Sequence, residues 1–359
     1  MARDGEAAAQ PVPVFDGHND TLLKLELAAR AGRHRDFTKS GDSMHIDLPR
    51  ARESHFAGGF FAMFTPSRRS RSRTDRFDRS DPSNYAQLDQ KEALAFTTAL
   101  FARMRRLAAA HPDAVTICDG PGDIRAAMAA GRLAMLPHIE GAECIDGDFH
   151  ALELLRAAGL RSLGLVWSRP NAFGDGAPMA RRPEIEPGRG LSDAGKALVS
   201  ACEALGILVD ASHLTEAGFW DLAKVATKPL IATHSNAHAV APNARNLTDR
   251  QLQAVAESGG VVGLNFHVAF LREDCAISHQ TPIAQMLRHL DHLVAILGED
   301  GVALGSDFDG CELPVEIGDV RGLGRLIAAM RQAGYGEALI AKICWQNWLA
   351  VMLRSGLPG

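Results

Sequence analysis

Apolar residues fall along the chain in short unbroken runs separated by longer stretches of mixed polarity. Eight runs have strand length: Val12–Asp16, Gly58–Phe64, Leu133–Ile139, Leu160–Val166, Gly206–Ala211, Leu230–Thr233, Gly260–Phe266 and Val302–Ser306. Continuous rather than alternating apolarity marks parallel strands covered on both faces. Between the runs the apolar positions recur at the helical period. Leu94, Leu100, Phe101, Met104 and Leu107 make one stripe, Asp148–Ala158 predicts a helix closed by Gly159, and Thr215–Ala226 predicts another. Ser192 is placed to cap a helix that stops at Gly206. Thr248-Asp249-Arg250-Gln251 has the form of a capping box, and Thr281-Pro282 sets a cap before proline at a first helical position. Strand–helix alternation over eight strands predicts an α/β fold, a (β/α)8 TIM-like barrel. It is expected to be a single domain over residues 1–359, with a doubly wound open sheet as the alternative. Two stretches break the rhythm: residues 66–84, rich in Ser, Arg and Asp, and residues 171–190, rich in Pro and Gly. Each follows a strand and is expected to be a rim loop rather than a linker.

Composition narrows the function classes. At 46% hydrophobic and 23% charged, 359 residues can bury a large core. A net charge of −5 leaves no basic footprint for nucleic acid. The apolar runs are too short to span a membrane. Met1–Pro13 lacks the basic start and apolar stretch of a signal peptide, so the expected location is the cytoplasm. The six cysteines form no C-x-x-C pair and read as small buried hydrophobes.

Chemistry concentrates where the apolar runs end. Barrel enzymes build their sites at the C-terminal ends of their strands. Those ends carry His18 and Asp20, Glu140, Trp167-Ser168, His213, His234, then Ala244-Arg245-Asn246, Asn265-Phe266-His267 and Ser306-Asp307-Phe308-Asp309-Gly310. His18 and Asp20 lie two apart and face one side of an extended segment. With Glu140, His213 and His234 they make five potential ligands. One catalytic zinc takes three protein ligands and keeps a position open. Five suit two metals about 3.5–4 Å apart. The expected arrangement places His18 and Asp20 on one metal, His213 and His234 on the other, and Glu140 between them. His138 is a neighbour of the ligand set, and Cys144 an undecided pocket residue. The remaining histidines read as surface or structural.

These segments resemble the membrane (renal) dipeptidase family of binuclear zinc peptidases, within the metal-dependent amidohydrolase-like barrels. The resemblance rests on Asp16-Gly17-His18-Asn19-Asp20, Ile139-Glu140-Gly141, Asp210-Ala211-Ser212-His213, Thr233-His234-Ser235, Ala244-Arg245-Asn246-Leu247-Thr248-Asp249 and Gly305-Ser306-Asp307-Phe308-Asp309-Gly310. It implies the same five metal ligands and two divalent ions, most simply Zn2+. Arg245 would clamp the C-terminal carboxylate of a dipeptide, and Asp307 would handle protons and the substrate amine. One position departs: the family's mammalian members carry an oxyanion-stabilising histidine where this chain has Trp167. Trp167, Phe266 and His267 are candidates for shaping the side-chain pockets.

The implied activity is hydrolysis of dipeptides by a metal-bridging hydroxide. Acceptance of a D-residue at the C-terminal position is common in the family, and a homodimer is suggested. The runner-up is a binuclear amidohydrolase acting on a cyclic amide, lactone or N-acyl amino acid. A metal-binding protein without catalysis is a third reading.

Overall fold

The computed structural model describes residues 11–41, 43–68 and 82–359. Residues 1–10 of the Met1–Pro13 segment, read above as lacking a signal peptide, and most of the 66–84 loop lie outside them. Among the described residues nine parallel strands form one sheet: β1 (Val14–Asn19), β2 (Phe56–Phe64), β3 (Val115–Ile117), β4 (Leu133–Glu140), β5 (Ser162–Gly164), β6 (Leu208–Asp210), β7 (Ile231–Ala232), β8 (Val261–Leu264) and β9 (Val302–Leu304). The order is β1-β2-β4-β5-β6-β7-β8-β9, with β3 added at the outer side of β4. Strand order never reverses, which removes the doubly wound alternative. The β9–β1 seam is nearly closed. Asp307 N–H donates to the His18 carbonyl (3.0 Å) and Asp20 N–H to the Phe308 carbonyl (2.8 Å). Asp16 crosses the same seam, accepting from Ser306 N–H (2.7 Å) and Oγ (2.6 Å).

Strand residues alternate between two cores. Val14, Leu133, Met135, Ile139, Val262, Val302 and Leu304 join the layer between strands and helices. Phe15, Phe60, Ala134, Leu136, Leu208, Ile231, Val261 and Ala303 fill the barrel. This two-residue period decides where the chemistry of β4 points. Ala134, Leu136, His138 and Glu140 face inward, so Glu140 reaches the barrel mouth with His138 one layer below. In β1 the pairing has register shifts between Val14 and Phe15 and between Asp16 and Asn19. Simple alternation therefore fails at the segment that delivers His18.

Trp348 plugs the barrel floor, its indole N–H donating to the Leu304 carbonyl at 2.9 Å. A Cβ at Gly17 or Gly263 would come within 2.6 or 2.9 Å of its ring, so only glycine fits at either position.

Among the helices, α1 (Thr21–Arg30), α2 (Leu48–Glu53) and α3 (Gln90–Ala110) precede β3. The predicted apolar stripe lies on α3, where Leu100, Phe101 and Met104 are buried. Then come α4 (Pro121–Ala129), α5 (His150–Ala158), α6 (Asp193–Ala204), α7 (Glu216–Val225) and α8 (Asp249–Glu257). Ser192 caps α6, and Thr248 and Gln251 close the capping box on α8. α5 starts two residues later than its pattern predicts. Phe149 sits at φ 63, and Asp146 supplies the acceptor for the Ala151 N–H. Thr281 does not cap the helix Ile283–Leu297. Its hydroxyl donates to the Ser278 carbonyl, and Glu316 Oε2 accepts from Ile283 N–H at 2.7 Å. The 171–190 segment is pinned to the rim by bridges Gly176–Leu214 and Arg181–Asn243. Among the described residues no helix is long and apolar enough to cross a membrane.

Candidate metal centre

The barrel mouth gathers all five expected ligands into one buried cluster. Glu140 is the last residue of β4. His18 lies in β1, and Asp20 follows it at the N-cap of α1. Asp20 makes no capping hydrogen bond, so its carboxylate is left for the mouth. His213 and Asp307 each follow a strand by three residues in left-handed conformations, at φ 69 and φ 59. That backbone is uncommon for residues with a Cβ and here turns both side chains into the site.

The distances are short. Glu140 Oε1 lies 2.9 Å from His213 Nε2 and 3.6 Å from His234 Nε2, while its Oε2 lies 3.7 Å from His18 Nε2. His213 Nε2 and His234 Nε2 are 2.9 Å apart, and Asp20 Oδ2 is 3.5 Å from His18 Nε2. Two metal-sized groups result: His18, Glu140 and His234, and His18, Asp20 and Asp307. A Cβ on Gly310 would meet Asp20 Oδ2 at 2.2 Å and Asp307 Oδ1 at 2.3 Å, so a glycine lets these two carboxylates approach.

A second layer orients the imidazoles. Thr233 Oγ1 donates to Asp210 Oδ2 at 2.5 Å and lies 2.8 Å from His234 Nδ1. With its proton given to the carboxylate, the hydroxyl accepts from Nδ1–H and leaves the Nε2 lone pair facing the centre. Ser168 Oγ stands 2.9 Å from His213 Nδ1 and can act alike. Asp210 also accepts from the backbone N–H groups of Ser212 and Thr233, tying together the loops that carry both histidines. These roles of Asp210, Thr233 and Ser168 are not visible in the sequence reading. The one signal was a carboxylate closing an apolar run at Asp210. His138 lies below, its Nδ1 bonded to Ser162 Oγ at 2.9 Å and its ring edge-on to His18. Cys144 lies in the outer core, away from the mouth.

Electrostatics favour a cation. Burial, then neighbouring positive charge, pushes His213 and His234 well below the usual imidazole range, so both are neutral and fit to ligate. Burial disfavours charge on His18 too, but Glu140, Asp20 and Asp307 push it up to about 10. Burial raises Glu140 well above the carboxylate range, opposed by His18 and reinforced by Asp20 and Asp307. Asp307 is pushed up to about 6 by burial, against His18. Three carboxylates crowd one buried space, and both ring nitrogens of His18 and Oδ1 of Asp20 find no hydrogen-bond partner. Buried polar groups are rarely left so. Divalent cations would satisfy His18 Nε2 and Asp20 Oδ1, and the donor set fits.

Substrate candidates ring the centre. Arg245 is buried; its Nε has no hydrogen-bond partner, and Nη2 reaches the His234 carbonyl at 3.4 Å. Burial pushes it down to about 10, against Glu140 and Asp307, so it stays a cation. Asn265 Nδ2 donates to Asp307 Oδ2 at 3.0 Å. Trp167 stacks on Tyr85 (centroids 5.7 Å, 19°) and lies 5.9 Å from the His213 ring. Phe266 packs edge-on against Phe308 in the core. His267 sits at the start of helix Val268–Leu271, its Nδ1 turned to the Glu312 carbonyl at 3.4 Å and its ring against Phe270.

The model of the family described as "Membrane dipeptidase (Peptidase family M19)" matches residues 3–355. A Klebsiella pneumoniae protein, described as uncharacterized and lying in the pqqA 5' region, is 47% identical over 69% of this chain and 92% of its own length. The crystal structure of a Rhodobacter sphaeroides metallopeptidase, liganded with a phosphinate mimic of the dipeptide L-Ala-D-Ala, superposes with a TM-score of 0.89. It is 44% identical and covers 96% of this chain and 100% of that one. A second metallopeptidase structure, dipeptidase AC, is 45% identical with a TM-score of 0.88, covering 96% and 99%. The chain belongs to the membrane dipeptidase family, peptidase family M19.

Proposed function

We propose that this metallo-dipeptidase cleaves the peptide bond of a dipeptide at a centre of two zinc ions. His213 and His234 would hold one ion, His18 and Asp20 the other, and Glu140 would be available to both. The observation that carries the reading is the convergence of neutral His213 and His234 on Glu140, beside a His18–Asp20–Asp307 group in which His18 Nε2 and Asp20 Oδ1 have no hydrogen-bond partner. Bound there, divalent ions would polarise the scissile carbonyl and lower the pKa of water to near neutrality.

The chain's own residues do the rest. Asp307, fixed by Asn265, takes a proton at its carboxylate and delivers it to the leaving amine. Arg245 binds the substrate's C-terminal carboxylate with its planar fork, and among the described residues no carboxylate pairs with the buried guanidinium. A ligand held at one terminus, with its scissile bond over the centre, limits the site to short peptides. The phosphinate mimic bound by the Rhodobacter sphaeroides relative supports a D-residue at the second position. Trp167 and His267 shape the walls around the substrate. The same reading takes residues 1–359 as one barrel domain.

A stereochemically defined dipeptide screen, run beside metal analysis of the purified protein, tests this. Arg245→Ala should weaken transition-state binding of free dipeptides by about 2–5 kcal/mol, the loss typical of a buried charge pair broken on one side. It should barely touch C-terminal amides. Equal losses on both would refute the clamp, and equal wild-type turnover of free and amidated substrates would point to another amide substrate.

A further inference from the structure

Three consecutive residues after β5 have three different tasks. Trp167 faces the centre beside His213, Ser168 orients His213, and Arg169 turns the other way into the protein. The Arg169 side chain is fully buried. Its Nε donates to Glu143 Oε1 at 2.6 Å, and its Nη2 donates to the Thr65 carbonyl at 2.6 Å. Its guanidinium carbon lies 5.1 Å from the Phe64 ring centre and 5.2 Å from that of Trp167. Glu143 stands in the turn directly after Glu140, with its carboxylate against the Gly141 backbone. A buried cation thus links the end of β2, the turn after β4 and the indole after β5.

We propose that the Arg169–Glu143 ion pair is a positioning device. It holds Trp167 as a rigid wall of the substrate pocket and thereby sets selectivity for the side chain of the dipeptide's N-terminal residue. The assignment to the N-terminal side follows from sheet order and rests on the functional reading above. Arg245 lies beyond β7, next to His234. The aromatic wall of Phe64, Tyr85 and Trp167 spans the β2–β5 sector, with Glu140 of β4 inside it. A dipeptide held by its carboxylate at Arg245, with its carbonyl over the centre, directs its first residue toward that wall. Arginine suits this position better than lysine. A guanidinium can bond to Glu143 and Thr65 through separate N–H groups while its carbon lies over two aromatic rings. Holding an indole in one rotamer matters because discrimination between side chains differing by a methylene or two depends on a wall that cannot retreat.

The test uses the zinc-loaded full chain and two dipeptides, L-Ala-D-Ala and L-Leu-D-Ala. Kinetic constants are measured for the wild type, the Trp167→Phe variant and the Arg169→Met/Glu143→Gln double variant, which removes both buried charges together. Both variants should shift the ratio of kcat/KM for the two substrates by about tenfold, chiefly through KM, at unchanged metal content. Acrylamide quenching of Trp167, read as the difference between each background and its Trp167→Phe counterpart, should rise in the double variant. A merely structural pair would lower stability and leave ratio and quenching alone. A folded double variant with the wild-type ratio would overturn the proposal. Should that variant not fold, Arg169→Lys decides: it keeps the charge and loses the planar face, and an unchanged ratio overturns the proposal. Absence of turnover of either dipeptide by the wild type would instead defeat the dipeptidase reading. The quenching difference would still report whether Arg169 holds Trp167.

Discussion

His213 and His234 are each backed by a hydroxyl, whereas His18 has no hydrogen-bond partner on either ring nitrogen. The two halves of the centre are built on different principles. Against β6 and β7, Asp210, Thr233 and Ser168 set tautomer and ring plane before any metal arrives. Burial keeps both imidazoles neutral. Against β1 and β9, charge dominates. Asp20, Asp307 and Glu140 surround His18, and Asp307 and Asp309 hold left-handed backbone. The support there runs through Asp309 and His45. Asp309 accepts from Thr21 Oγ1 and His45 N–H, and gives its own N–H to His45 Nδ1. One half is ordered by its own hydrogen bonds; the other leaves buried polar atoms of His18 and Asp20 without a partner.

That contrast can be broken at several points. The largest effect is expected at Glu140, the residue common to both halves. Glu140→Gln should abolish turnover and lower the bound metal, read by elemental analysis of the purified protein; full metal content with normal turnover would refute a shared carboxylate. Next is Asp307→Asn, which keeps the shape and the Asn265 contact. It should cut kcat by about 10²–10⁴-fold, the usual range for a general acid–base group, at intact metal content. Near-normal kcat would remove its proton role. Thr233→Val loses only the hydroxyl behind His234. Competition with a chelator should then show about 10–100-fold weaker binding of one metal ion and little change in the other. Equal weakening of both would mean that the halves are not independent.

The smallest effect concerns the scaffold of the acidic half. His45 accepts a bond from Val320, next to Asp319, which pairs with Arg50 and Arg321. Burial opposes charge on Asp319, but these arginines push its carboxyl down from 3.8 to about 2. Its stabilisation is therefore complete above about pH 4 and fades as pH falls toward about 2. Asp319→Asn should lower the unfolding midpoint slightly at neutral pH and flatten its decline across that window. An unchanged slope would detach Asp319 from acid unfolding.

The strand ends were legible because burial on both faces leaves little choice of residue. Eight apolar runs gave eight of the nine strands, and the residues following them gave the members of the mouth. The ninth, Val115–Ile117, is not legible in the sequence, because three residues at the outer side of β4 carry no pattern of their own. Ladder lengths also differ: Leu160–Val166 was expected as a strand and only Ser162–Gly164 pairs. Apolarity there reflects burial beyond the ladder. Thr281-Pro282 misled for a related reason, since Glu316, 33 residues away, supplies the helix cap.

Periodicity and residue type, both local properties, determined the barrel, the ligand types and their place at the strand ends. They could also mark Trp167 as unusual without saying what holds it. Tertiary structure alone decided the rest: the inward turn of His213 and Asp307, the close approach permitted by Gly310, the Asp210–Thr233–His234 chain, the Trp348 plug and the Arg169–Glu143 pair. Each joins residues distant in sequence or depends on a backbone angle imposed by packing. No local pattern can encode a contact whose partner is chosen by closure of the barrel.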